Sequence, residues 1–365
     1  MQQRRMLPFK IISMDSLGQG VSKETDKITF ISKTLPGDCG EAIVVSEKKG
    51  VCFAKLKTIT QSSALRIEPL CAHFNTCPSC HYLHTPYEEE LKFKKLNLEK
   101  LFQKIPHPEV LITPAVRRTH YRNRIQLHYH QGLKQLGMKD VKDQTIAPIS
   151  KCLIGRPAIL NKLQELYEAD AWLDLAFNQP IEGHVEIYEL NEEVQVSWNR
   201  PYAQGGFTQV FDEMNQLLKN KLTTWSENLP SFELLDLFAG NGNLSDKTNH
   251  SKRLCVDVYS QTPNGPFLSQ DLYDQSALKN VSQKMRNSGL SPKVVILDPP
   301  RSGLKNLDQW LEAFKPQFVA YVSCDPHTLV RDITPLRNYQ ITKLELIDFF
   351  PSTFHYETVA FLERM

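Results

Sequence analysis

Four short apolar runs in the last 140 residues constrain the fold of this chain more than any other feature. They are residues 233–238 (ELLDLF), 253–257 (RLCVD), 293–298 (KVVILD) and 318–323 (FVAYVS). None shows the strict alternation of a half-exposed strand, so each is read as a strand covered on both faces. Helix-compatible segments lie at about 304–314 and 326–337, and a helix-period stretch through Val210, Met214, Leu217, Leu218 and Leu222 leads in. Strands buried on both faces and separated by helices predict a doubly wound, Rossmann-like α/β sheet. Ligands of such sheets bind beyond the carboxyl ends of the strands, which makes the residues after each run the first candidates for chemistry.

Upstream, the pattern differs. The first 58 residues read as short strands at 10–14, 27–31, 41–45 and 51–54, punctuated by Gly18, Gly20, Pro36-Gly37 and Lys49-Gly50. A module of about five such strands suits a small barrel of the OB type, a common platform for single-stranded nucleic acid. Residues 86–104 read as a basic helix, and 120–200 alternate polar and apolar positions as an antiparallel sheet does. The expected segments are therefore 1–60, 61–200 and 201–365. Net charge is +2 overall, but residues 1–58 carry +4 and residues 91–139 carry +9. A basic stripe on a nearly neutral chain is the usual footprint of a nucleic-acid contact, although a solvated charged face gives the same pattern. No apolar run is long enough to span a membrane and no signal peptide is recognisable, so a cytoplasmic protein without a membrane partner is expected.

Two strand ends suggest a cofactor crevice. The run Leu235-Asp236-Leu237-Phe238-Ala239-Gly240-Asn241-Gly242-Asn243 takes an apolar strand into a Gly-rich turn, where a backbone can approach a ligand closely. Asp257 ends the next strand 21 residues after Asp236, where it suits a ribose hydroxyl pair, and Asp298-Pro299-Pro300 ends a third. This combination looks like an S-adenosylmethionine-dependent methyltransferase. Cys324, in Ser323-Cys324-Asp325-Pro326, lies just past a buried strand and before a helix, whose N-terminus is expected to favour a thiolate. Arg301, on the neighbouring loop, adds a positive charge. A buried inert cysteine is the competing reading. A thiolate that adds to carbon 6 of a pyrimidine makes carbon 5 nucleophilic, and a base must then remove the carbon 5 proton. His355 and Glu357 are both candidates for that base, and spacing does not choose between them.

The chain resembles the RNA uracil-5 methyltransferases in Asp236-Leu237-Phe238-Ala239-Gly240-Asn241-Gly242-Asn243, Leu297-Asp298-Pro299-Pro300-Arg301-Ser302-Gly303, Ser323-Cys324-Asp325-Pro326 and Phe349-Phe350-Pro351 followed by His355-Tyr356-Glu357-Thr358-Val359. The resemblance implies a Cys324 nucleophile and a Glu357 base, with methyl transfer from S-adenosylmethionine. It also implies cofactor contacts at Gln209, Phe238, Asn243, Asp257 and Asp298, while Asp271 is assigned to the adenine end. Cys71, Cys77 and Cys80 form a C-x5-C-x2-C cluster with Cys152 further along. Four thiols suit zinc or an iron–sulfur cluster. Their spacing is similar to the [4Fe–4S] site of the ribosomal branch, which implies a central α+β iron–sulfur domain. Leu17-Gly18-Gln19-Gly20-Val21 and Leu35-Pro36-Gly37-Asp38 resemble the TRAM domain, an OB-like RNA-binding module. TRAM-like barrel and cysteines together imply 23S ribosomal RNA as the partner rather than tRNA, with no DNA partner and a monomeric enzyme expected. This sequence departs from the family at Phe211, at Asp257 in place of Glu, and in the short connection from Asp257 to Asp271.

Overall fold

The computed structural model of the protein describes residues 5–140, 144–205, 208–258 and 266–365. Contacts divide the chain into two units, each interrupted in sequence. The first comprises residues 1–97, 117–211 and 350–354, and the second comprises 98–116, 212–349 and 355–365. The expected boundaries near 60 and 200 thus do not coincide with the observed division: residues 98–116 join the C-terminal unit, and 201–211 join the first.

The first unit opens with a closed barrel of β1 (Met6–Met14), β2 (Gln19–Ser22), β3 (Ile28–Ser32), β4 (Cys39–Lys48) and β5 (Val51–Gln61), in the order 1-2-3-5-4. Inward residues of period two, including Leu7, Phe9, Ile11, Ile31, Ala42 and Ala54, fill its core. Closure leaves the barrel no free sheet edge. Helix α1 (Tyr87–Phe102) follows, and the unit division falls inside it. Strand β6 (Val110–Thr113) belongs to the second unit. The first unit continues with an antiparallel sheet ordered β11-β10-β7-β8-β9, built from β7 (Arg124–His130), β8 (Gln135–Lys139), β9 (Ile146–Pro148), β10 (Glu182–Leu190) and β11 (Glu193–Trp198). Helices α2 (Pro157–Tyr167) and α3 (Ala171–Leu175) lie between β9 and β10.

A charge network centred on the fully buried Glu90 and Lys94 holds part of this unit. Glu90 Oε1 accepts from Lys94 Nζ at 2.8 Å and from the Ser352 amide at 2.7 Å, while Oε2 accepts from Arg118 at 2.8 Å. The Ser352 carbonyl accepts from the amides of His81 and Tyr82. Segment 350–354 is thereby gripped through a turn in which Ser352 adopts a left-handed φ of 70°.

The second unit is an eight-stranded mixed sheet ordered β14-β13-β12-β15-β16-β18-β17-β6. Its parallel half is β12 (Phe232–Leu237), β13 (His250–Asp257), β14 (Phe267–Ser269), β15 (Val294–Leu297) and β16 (Phe318–Ser323). Helices α4 (Asp212–Glu227), α5 (Ala277–Ser288), α6 (Leu307–Phe314) and α7 (Pro326–Ile333) accompany it. Their buried residues recur every three or four positions: Met214, Leu218 and Leu222 in α4, and Ala277, Val281 and Met285 in α5. The α/β architecture expected from the four apolar runs is therefore present. The chain then makes a β-hairpin-like pair, β17 (Tyr339–Ile347) and β18 (Glu357–Arg364), with β18 antiparallel to both β16 and β17. Among the described residues no helix is long and apolar enough to cross a membrane.

The Glu90 network gives a direct stability contrast. Removing one partner of a buried ion network leaves uncompensated charge, so Glu90→Leu is expected to cost about 3–5 kcal/mol. Lys92→Met, at an exposed lysine paired with the partly exposed Glu89, is expected to change stability by less than about 1 kcal/mol. Urea unfolding midpoints of the two variants measure the difference.

Candidate active site

The candidate nucleophile and base are brought together by strand register. β16 pairs with β18 so that Ser323 lies opposite Thr358, which puts the next residue, Cys324, at the end of the sheet where Glu357 begins β18. Glu357 is buried, and its Oε2 has no hydrogen-bond partner. Cys324 is half-buried, between β16 and α7. Asp325 caps α7 by accepting from the His327 amide at 2.9 Å, and Pro326 occupies the first turn.

The electrostatics correct one expectation. The helix end does not yield a low thiol pKa: burial and the carboxylates of Glu357 and Asp298 push Cys324 up to about 12, with Arg301 opposing them. Burial likewise raises Glu357 well above the carboxylate range, with Asp298 adding to the rise and Arg301 acting against it. Asp298 is pushed up to about 7 by burial and by Asp236, and Asp236 to about 7 by burial. The site is a crowd of buried acids beside a protonated thiol, with one exposed guanidinium in range.

The loop carrying Asp298 and Arg301 is fixed through α7. Asp332, fully enclosed, accepts from the Leu304 amide at 2.6 Å and from the Tyr321 hydroxyl at 2.7 Å, while Arg331 donates to the Ser302 carbonyl at 2.7 Å. Gly303 has φ of 66°, and a Cβ there would come within 2.3 Å of Asp332 Oδ2, so only glycine permits this approach.

The predicted cofactor residues cluster at the other strand ends. Phe238 leaves β12 with a left-handed φ of 58°, and Gly240 and Gly242 follow at 54° and 78°. Asp257, at the end of β13, accepts from the Gly240 amide at 2.9 Å, so it shapes the Gly-rich turn. Asn243 donates to Asn215 of α4 at 2.9 Å, a partner that sequence reading missed because it lies 28 residues away on another element. Asp271 accepts from the Tyr273 amide at 2.9 Å. The shortened connection between Asp257 and Asp271 runs partly through 259–265, outside the described residues. Gln209 belongs to the first unit, where its carbonyl accepts from Asn123 at 3.1 Å; Gly206 and Phe207 of its motif lie outside the described residues. A groove of about 500 Å³ on α4, lined by Lys221, Trp225 and Lys343 among others, includes none of these residues.

In the first unit, Cys71, Cys77, Cys80 and Cys152 line one narrow cavity together with Phe74 and Ile154. Cys80 and Cys152 are buried, and burial raises both thiols. Lys33 donates to the carbonyls of Cys77 and Cys80 and lies 4.0 Å from the centre of the Phe74 ring. Four sulfurs around one space match in kind the donor set of an iron–sulfur or zinc site. Among the described residues, however, no three donors are drawn together as a formed metal site. Cys39, Cys52 and Cys255 are not part of this cavity, and Cys52 and Cys255 are buried in their own units.

The fold is the α/β methyltransferase fold. Residues 274–365 match the family model described as tRNA (Uracil-5-)-methyltransferase. Over 97% of its length the chain is 29% identical to the 23S rRNA (uracil(1939)-C(5))-methyltransferase RlmD of Shewanella woodyi, covering 95% of that protein. It is 26% identical to the Vibrio vulnificus protein of the same name over 96% of the chain, covering 94% of that relative. The crystal structure of the Pyrococcus abyssi tRNA (uracil-54, C5)-methyltransferase in complex with S-adenosyl-L-homocysteine superposes with a TM-score of 0.67, covering 97% of this chain and 99% of that one at 21% identity. The resemblance to the RNA uracil-5 methyltransferases thus runs along nearly the whole chain.

Acids with raised pKa bind protons that the unfolded chain has released. Between about pH 4 and pH 7 Asp236 and Asp298 therefore hold more protons in the folded chain, and their contribution to stability falls as pH rises through that window. Asp236→Asn removes one such acid. It is expected to flatten this fall and to melt above the wild type at pH 8, as read by thermal unfolding at a series of pH values.

Proposed function

We propose that this protein methylates carbon 5 of a uridine in 23S ribosomal RNA, with Cys324 as covalent nucleophile and Glu357 as the base. The observation that carries the reading is the β16–β18 register, which sets a thiol and a buried carboxylate side by side at the carboxyl end of the parallel sheet. The near-full-length relatives named as 23S rRNA uracil-C5 methyltransferases favour the ribosomal substrate.

In this mechanism the Cys324 sulfur bonds to carbon 6 of the uracil as the thiol gives up its proton to solvent at the half-buried edge of the site. The electron pair of the 5,6 double bond moves so that carbon 5 becomes nucleophilic. S-adenosylmethionine, when bound, would supply the methyl group to carbon 5, its S–CH3 bond breaking with the electron pair kept by sulfur so that S-adenosylhomocysteine is the leaving group. Glu357 then takes the carbon 5 proton, the 5,6 double bond re-forms, and the Cys324 sulfur leaves with the electrons of its bond to carbon 6. Burial suits Glu357 to this step, because a carboxylate of raised pKa is a stronger base near neutral pH. Arg301 offers the site its positive charge, which opposes the carboxylates when the thiolate forms.

Phe238, Asn243, Asp257, Asp271, Asp298 and Gln209 are the residues that would hold the methyl donor. Cys71, Cys77, Cys80 and Cys152 would hold a [4Fe–4S] cluster, supported by their shared cavity. The closed N-terminal barrel is read as the TRAM-like RNA contact, and the enzyme as a cytoplasmic monomer without a DNA partner.

Incubation with radiolabelled S-adenosylmethionine and unmodified 23S RNA is expected to label one uridine, and folded protein that labels none would end the proposal. Cys324→Ala is expected to abolish labelling. Glu357→Gln is expected to form the first bond and stall, so an RNA–protein adduct resistant to denaturing electrophoresis should accumulate. Absence of that adduct in Glu357→Gln, with labelling retained, would assign the proton to another base such as His355.

A further inference from the structure

We propose that Tyr273 is a positioning residue that ties the methyl-donor end of the sheet to loop 298–303 beside Cys324. Tyr273 follows β14 in a turn shaped by carboxylates: Asp271 accepts its amide, and Asp274 accepts both the amide and the hydroxyl of Ser276. Its neighbour Leu272 is buried in the core, whereas Tyr273 itself is 50% exposed. Such a large side chain is not there to fill the core, and its contacts are specific. The ring centroid lies 5.5 Å from that of Phe238, the residue that opens the Gly-rich turn. The hydroxyl lies 2.7 Å from Ser302 Oγ and donates to the Gly303 carbonyl at 3.0 Å.

The same loop is also held by α7. Arg331 donates to the Ser302 carbonyl, and Asp332 holds the Leu304 amide. Helix α7 begins two residues after Cys324. The loop that carries Asp298 and Arg301 is thus tied by the helix that follows the nucleophile and by Tyr273 from the donor end. The ring and the hydroxyl have separable tasks. The ring extends the Phe238 wall toward the donor, a task that rests on the proposed donor site. The hydroxyl fixes the loop whether or not a donor is bound.

Tyr273→Phe and Tyr273→Leu separate the two. Because the side chain is half in solvent, both variants are expected to fold, which circular dichroism and the melting temperature check. S-adenosylhomocysteine binding by calorimetry and iodoacetamide alkylation of Cys324, followed on its own peptide by mass spectrometry, are the readouts. Tyr273→Phe is expected to bind S-adenosylhomocysteine within about two-fold of wild type. Its Cys324 alkylation is expected to slow by about five-fold, the scale of one lost neutral hydrogen bond, because Arg301 is no longer held in place. Tyr273→Leu is expected to lose on both readouts. Cys324 alkylation in Tyr273→Phe that is unchanged or faster overturns the proposal, as does Tyr273→Phe losing binding as fully as Tyr273→Leu. Wild type that binds no S-adenosylhomocysteine overturns the donor site and the ring's task with it, while alkylation still decides the task of the hydroxyl.

Discussion

The candidate active site depends on the antiparallel insertion of one strand. β18 enters the sheet between β16 and β17, and its register brings the residues after Ser323 and before Thr358 to the same edge. Side chains alternate along a strand, so a slip of one residue would turn Glu357 to the opposite face. Such a slip would also expose part of a strand buried over its first six residues, which the apolar cost of exposure forbids. The register is therefore held by the same burial that builds the core, and the chemistry inherits its precision from packing.

That packing has an electrostatic cost concentrated in the same place. Asp236, Asp298 and Glu357 are buried acids, with Asp298 in range of Asp236 and Glu357 in range of Asp298, and Cys324 lies within reach of Asp298 and Glu357. Acids would be better solvated at the surface, so the surrounding fold must over-determine their position. The restraints are visible in the Asp332 bonds to Tyr321 and Leu304, the Arg331 bond to Ser302, and the tight passage at Gly303.

The sequence made some of this legible and hid the rest for physical reasons. Runs such as 293–298 announce a strand buried on both faces, because apolar residues without alternation have few other homes; β15 is buried at every position. The pairing of β17 with β18 was not legible, since a register between strands is a relation across the sheet. Nor was the parallel pairing of β6 with β17, which joins residues more than 230 apart in the chain. At the site, Gly240 and Gly242 stand out because each needs a left-handed φ. Asn215, Tyr273 and Asp332 do not, since each acts only through a partner on another element. The thiol pKa was misjudged for a related reason: a helix end is visible in sequence, whereas the two carboxylates that outweigh it arrive by folding.

A helix N-terminus contributes about half a charge, and here the Asp325 cap already occupies part of it. Two carboxylates at short range outweigh that half charge, and burial compounds them. The resting cysteine is therefore held toward the thiol form, which slows its reaction with electrophiles. Its reactivity depends on the balance between these acids and Arg301, which lies on an exposed stretch of a loop that is otherwise pinned. A ligand that displaces water from this edge strengthens both influences at once, because the local dielectric falls. Control of the proposed nucleophile then lies in the placement of Arg301 against Glu357 and Asp298, more than in the cysteine's own position before the helix.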